Sequence, residues 1–318
     1  MKYDIICLSN YEKRTPYLPV NCPQYIPAYE HGYNIEKVHQ LVFGKDPVVY
    51  YDITLFQTLD NKQYIINQEK KDSDVVAIAH PELRNAYSKN DMEKLSGYDM
   101  LEVLNKKKVA TQEWDEALSS GKAAWIIADD DCHDISKRAE TGVSWTMVNS
   151  NTKNCKDVME ALRSGRSYGI TGSDGVNDHY LKYVNVKDTV VTFVVDKPAQ
   201  EIKLIGQNGA VKKIQCNTDS ISYDFQPGDS YLRAEIKFSL QELYLNPIIR
   251  YDGRQAPHNN NTASVNLWMT VFVRSLILVI WIVGITVVIR PSVPLRIAYL
   301  ITRMRMGTAL PRFIQSSA

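Results

Sequence analysis

Residues 267–289 read LWMTVFVRSLILVIWIVGITVVI, an apolar stretch of 23 residues whose one charge is Arg274. At 1.5 Å rise per residue, a helix of that length spans roughly 35 Å, enough for the hydrocarbon core of a bilayer. Between 276 and 285 every helical face is apolar, so no side of such a helix suits water. The stretch is expected to form a single transmembrane helix, with Arg274 snorkelling toward the interface that Trp268 also favours. The residues ahead of it must then bury their own core.

Charge divides at nearly the same place. The 318-residue chain carries 37 Lys and Arg against 36 Asp and Glu. From Gly253 onward there are seven Arg and no acidic residue, which leaves 30 basic against 36 acidic residues before it, a net of −6. An acidic body argues against a general nucleic-acid binder, which needs a basic footprint to displace counterions from phosphates. Arg290, Arg296, Arg303, Arg305 and Arg312 follow the apolar stretch, whereas Arg254 alone stands shortly before it. The positive-inside rule therefore predicts a cytoplasmic C-terminus and an extracytoplasmic, periplasmic globular part. Residues 294–306 set Ile297, Leu300, Ile301 and Met304 at helical spacing among arginines, the pattern of a helix lying on an anionic leaflet. Residues 1–14 hold neither a basic n-region nor an apolar h-region, so either the topology is reversed or the true start, with an export signal, lies upstream. Five cysteines, an odd number without a C-x-x-C pair, exclude a disulfide scaffold, and Cys7 and Cys155 read as small core residues.

Three short apolar runs recur at nearly constant spacing: VVAIA at 75–79, YDMLEVL at 98–104 and AWIIA at 124–128. That rhythm is the period of a βα unit, and buried strands alternating with helices predict a parallel sheet, open or closed into a barrel. Residues 111–121 (TQEWDEALSSG) put Trp114, Ala117 and Leu118 on one helical face with Gly121 as a C-cap. Residues 4–9 (DIICLS) and 145–148 are further expected strands, and 155–164 an expected helix capped by Asn154 and ended by Gly165. After Gly175 the pattern becomes alternating and β-branched over 180–186, 189–196, 201–205, 211–216, 220–225 and 231–238. Turns at Asn208-Gly209 and Pro227-Gly228-Asp229 complete the pattern of a small β-sandwich. The expected division is an α/β domain over 1–175, a sandwich over 176–252, a linker over 253–266, the span over 267–289 and a basic tail over 290–318.

In such sheets chemistry collects at the carboxyl ends of the strands. VVAIA ends in His80-Pro81, YDMLEVL contains Glu102 and ends in Asn105, and AWIIA runs into Asp129, Asp130, Asp131, Cys132, His133 and Asp134. Imidazoles and carboxylates delivered to one rim can hold Zn, Mn or Fe with positions left open for water and substrate. Of the other histidines, His31 reads equally as a ligand or a turn residue. His39, His179 and His258 read as ordinary surface. Neither a Gly-rich phosphate loop nor a G-x-S-x-G elbow occurs.

The stretch VVAIAHPELRNAY, YDMLEVLN, WDEALSSGKAAWIIADDDCHD and SGRSYGITGSD resembles the second half of a PHP (polymerase and histidinol phosphatase) domain, in particular membrane-anchored members with an appended β-sandwich. The resemblance covers roughly residues 3–172. It implies an incomplete or distorted (β/α)7 barrel, divalent metal ions, and hydrolysis of a small phosphorylated substrate. Carried over residue by residue, it assigns Glu30, His80, Asp131 and His133 as metal ligands; Glu102 and Asn105, read from the strand ends, are the expected catalytic-site residues that line or brace the rim. Arg84 and Arg138 are possible phosphate clamps, set against the ordinary reading of exposed arginines.

Two departures accompany the matches. The family's opening His-x-His has no counterpart here, and its Asp-His after the second strand is replaced by Asn10-Tyr11. A chain that begins one βα unit late would explain these gaps together with the missing export signal. The alternative function is a catalytically degenerate, membrane-tethered binding module.

Overall fold

The computed structural model describes residues 3–44, 47–71, 75–106, 108–173, 175–251 and 266–289. The expected amphipathic helix, the basic tail and all of the expected linker except Asn266 lie outside them. The described residues form two units, one within Met1–Val265 and one within Asn266–Ala318.

The first unit opens with a two-stranded ribbon, β1 (Ser9–Asn10) and β2 (Lys13–Arg14). The expected strand over 4–9 is absent apart from Ser9. Next come β3 (Ala28–His31) and β4 (Gln40–Phe43), an antiparallel pair, and α1 (Leu59–Lys70), begun by a Thr58/Asn61 capping box. β5 (Val75–Ile78), α2 (Lys89–Lys94), β6 (Met100–Leu104), α3 (Thr111–Ser119) and β7 (Trp125–Ala128) follow the predicted rhythm. β5, β6 and β7 are parallel neighbours, and the five-stranded order is β3-β4-β5-β6-β7.

Every residue of β5 and β6 is buried, because this sheet is covered on both faces. Val76, Ile78, Leu101 and Ile126 meet Ile66, Met92 and Trp114 of the helices on one side. Val75, Ala77, Met100 and Ile127 belong to a second cluster with Val158, Met159 and Leu162. Those three lie on α4 (Cys155–Arg163), which Asn154 caps as predicted by accepting from the Asp157 N–H at 2.8 Å.

The (β/α)7 barrel is not formed. Closure requires co-directional strands whose last member bonds to the first. Here β4 runs antiparallel to both β3 and β5, and β3 and β7 remain the two edges. Past β7 the chain leaves this sheet altogether. β8 (Ser144–Val148), placed close to where it was predicted, pairs antiparallel with β9 (Ser167–Thr171) in a different sheet.

That second sheet has eight strands, adding β10 (Leu181–Lys187), β11 (Val190–Gly206), β12 (Ala210–Asp224), β13 (Tyr231–Lys237), β14 (Glu242–Leu245) and β15 (Ile248–Ile249). Its main path is β10-β11-β13-β14-β9-β8, with β12 on β11 and β15 on β13. The expected free-standing sandwich is therefore one mixed-origin sheet, and four of its expected strands fuse in pairs into β11 and β12. Pro198 falls in an irregularity where the register jumps from Val194↔Ser220 to Ala199↔Thr218, and Asn217 lies just past it, in the regular pairing that leads to Glu201↔Cys216. A bulge accommodates the missing N–H of proline, and Asn217 takes the left-handed conformation at φ 52°. The core of this sheet gathers Trp145, Ile170, Phe193, Ile202, Leu232 and Leu243.

The second unit contains α5 (Leu267–Ile289), one helix long and apolar enough to cross a membrane.

Candidate metal centre

The β3–β4 register sets His31 opposite Gln40 and Glu30 opposite Leu41, so the connecting loop leaves from Gly32 and returns at His39. Gly32 has φ 121°, and a Cβ there would stand 2.7 Å from both His39 Cδ2 and the Val38 carbonyl oxygen. Only glycine lets the imidazole fold back over the strand end. The His39 carbonyl accepts from the Ala79 N–H at 3.1 Å and from the Tyr87 hydroxyl at 3.0 Å, which ties it to the end of β5. His80 follows one residue later, at φ 26°, and its carbonyl accepts from the Leu83 N–H at 2.8 Å.

These constraints bring three buried side chains together. His39 Nδ1 lies 2.6 Å from Glu30 Oε1, and His80 Nε2 lies 3.2 Å from the same oxygen. The two imidazoles meet edge to face with centroids 5.0 Å apart. One ligand atom from each of Glu30, His39 and His80 falls within 4.8 Å of the others. Ligand bonds of about 2.1 Å in a tetrahedron put neighbouring donors about 3.4 Å apart, so the group needs little movement to close on one ion. A buried Glu/His/His group of this kind could bind a metal ion.

The surrounding atoms test that fit. His39 Nε2, His80 Nδ1 and Glu102 Oε1 are buried without a hydrogen-bond partner. Buried polar atoms are normally satisfied, so unpartnered nitrogens on the far sides of both imidazoles, with an unpartnered oxygen on the carboxylate that holds the His80 backbone, leave bonding capacity at these residues that the protein does not use. Burial acts to raise the Glu30 pKa, but hydrogen bonds from His39 and His80 outweigh it and hold the carboxyl down to about 2. Burial lowers His39, against the pull of Glu30. An ionised carboxylate beside an imidazole biased toward neutrality is the protonation state a cation needs.

Carboxyls of the parallel strands complete the surroundings. Glu102 on β6 accepts the His80 backbone N–H at 2.8 Å and is also bonded by the Asn105 side chain. Burial, followed by the charge of Asp129, pushes its carboxyl well above the usual range. Asp129, just past β7, is raised to about 7 by desolvation and by the charge of Asp131, although it accepts the Asp131 N–H at 2.8 Å. Tyr11 is bridged to Glu30, bonds to it through its hydroxyl, and packs edge-on against His39 with centroids 5.2 Å apart. Glu12, Lys37, His80, Arg84 and Asp131 all adopt positive φ in these loops, a concentration of backbone strain usual at functional sites.

Of the sequence-derived site residues, Glu30 and His80 meet directly, while Glu102 and Asn105 stand behind His80. Asp131 is close enough for its charge to act on Tyr11, Glu102 and Asp129, but it is not a member of the Glu30–His39–His80 group. His133 is 54% exposed at its side chain and turns to the Asp131 carbonyl oxygen, 2.9 Å from its Nδ1. Arg84 is exposed and donates to the Ile35 carbonyl at 3.1 Å. His39, expected at the surface, is instead 1% exposed. The available signal was its position immediately before a strand, with a glycine at the other end of the same loop.

His31 points to the opposite face of β3 and joins a separate polar group. Its Nδ1 lies 3.0 Å from Glu12 Oε1, 3.0 Å from the Val49 carbonyl oxygen and 4.0 Å from Glu69 Oε1. No protein-family model, curated protein or solved structure matches this chain in the comparisons made.

Proposed function

We propose that this chain is a membrane-anchored, metal-dependent phosphoesterase, the activity implied by its resemblance to PHP domains, working at the Glu30–His39–His80 group. The observation that carries the reading is the set of two imidazoles and one carboxylate buried together beside orphaned polar atoms. Two His and one Glu form the donor set of hydrolytic zinc sites that keep a fourth position open. Zn, Mn and Fe all accept such donors. A divalent ion held there acts as a Lewis acid that acidifies water and draws charge from a phosphoryl oxygen.

The chain's own groups supply the rest. Glu30 brings a negative charge that stays ionised across the physiological range, while His39, its pKa lowered by burial, and His80 bring imidazole nitrogens. Asp129, at about 7, is matched to accept a proton from an attacking water near neutral pH. Glu102, bonded to the His80 N–H and to Asn105, holds the strained turn at His80 in place. The arginines after α5 favour a cytoplasmic tail and an extracytoplasmic globular part.

Elemental analysis of the purified full chain, repeated for His39→Ala, His80→Ala and His133→Ala, tests the site. The expected result is bound divalent metal in the parent and in His133→Ala, with affinity lowered more than about 100-fold in the other two. Hydrolysis of a generic aryl phosphate with added Zn or Mn should be lost in the same two variants. A parent that takes up metal but hydrolyses nothing would leave the tethered binding module. A parent that takes up none would remove the site.

A further inference from the structure

The loop over residues 47–57 exposes large apolar side chains that no core absorbs. Tyr50 is 74% exposed, Phe56 71% and Leu55 49%, beside Tyr33 at 62% and Ile35 at 50%. Backbone ties join the two segments: the Ile35 N–H donates to the Thr54 carbonyl at 3.1 Å, and the Tyr33 N–H to Asp52 Oδ2 at 2.7 Å. Carboxylates in the loop are engaged by its own donors. Asp52 accepts from Tyr33, Asn34, Ile53 and Gln57, and Glu36 from the Gln57 N–H. A contiguous apolar surface held in a fixed shape marks an interaction site.

We propose that this surface docks onto a lipid bilayer. The occupant follows from three observations. The chain carries α5, a helix able to anchor it in a membrane. α5 and the globular unit belong to one chain, so a bilayer that holds α5 is presented to the globular unit at high effective concentration. The side chains are those of an interfacial anchor, tyrosines and phenylalanine with Leu and Ile, bordered by the cations Lys37 and Arg84. The Tyr33 ring lies 5.3 Å from Tyr11, itself 5.2 Å from His39, so docking would bring the buried Glu/His/His group close to the headgroups. The docking claim stands on the apolar loop and α5, and does not depend on metal or catalysis.

The test uses the full chain reconstituted in phosphatidylcholine/phosphatidylglycerol vesicles, with and without bromine on the acyl chains. Tryptophan is introduced by Phe56→Trp, by Tyr50→Trp, or by Val211→Trp on β12 as an exposed control, and the parent's emission is subtracted. Docking predicts that the added emission of the first two variants shifts to the blue and is lost in brominated vesicles, while that of Val211→Trp is unaffected. Added emission from both loop variants that is the same in either vesicle overturns the proposal. A blue shift without bromine quenching also overturns it, since protein, for instance a second copy, would then be the cover.

Discussion

Glu69 on α1 has both carboxylate oxygens buried without a partner, with His31 Nδ1 4.0 Å away. Burial pushes its carboxyl up to about 8, against the pull of His31. The unfolded chain releases that proton near 4.5, so between about 4.5 and about 8 the native state holds a proton the unfolded state has lost, and stability falls as pH rises. Glu69→Gln should remove this slope. Urea denaturation is expected to show little difference from the parent at about pH 5 and a gain of a few kcal/mol at about pH 9. A gap that does not widen with pH would mean Glu69 is not held as the acid. The same scale explains what could be read of the metal group. Glu30 and His80 are legible because each stands in a recognisable segment, AYEH or AIAHP. His39 becomes a neighbour only through antiparallel register and the room left by Gly32, neither of which is a local property of the residue.

Among the elements, β5, β6, β7, α3 and α4 follow their sequence patterns closely, because unbroken buried runs and capped amphipathic helices are local signals. Strand partners are not. β8 reads as a continuation of the βα series, yet it pairs antiparallel with β9, which in turn joins β14. One glycine shows how closely the layers approach: a Cβ on Gly169 of β9 would stand 2.7 Å from Ile126 Cδ1 and 2.9 Å from Leu104 Cδ1. Gly169→Ala should cost about 1–3 kcal/mol through overpacking between β9 and the β6–β7 pair. Thermal denaturation of the variant checks this, and a neutral result would mean the layers part without penalty.

At the scale of the globular unit, the two large sheets are joined by a buried ion pair as well as by apolar packing. Arg233 on β13 donates through Nε and Nη2 to the two carboxylate oxygens of Asp115 on α3, each at 2.7 Å, and Tyr231 donates to Asp115 at 2.8 Å. Removing Asp115 leaves the buried Arg233 with only Glu235, whose Oε1 accepts from Nη1 at 2.7 Å, so Asp115→Ala should lose about 3 kcal/mol in urea denaturation, the low end for a broken buried pair. A loss below about 1 kcal/mol would mean that solvent reaches Arg233 in the variant. Sequence alone determined the long apolar helix α5, the three parallel strands and the placing of carboxylates and His80 at their ends, since these depend on hydrophobic period and on residues within one turn or strand. Tertiary structure decided that the sheet stays open, that β8 and β9 leave it, and that His39 rather than His133 meets Glu30 and His80. Those outcomes turn on strand direction and on close approach between residues distant along the chain, where pairing energies compete that no single segment encodes.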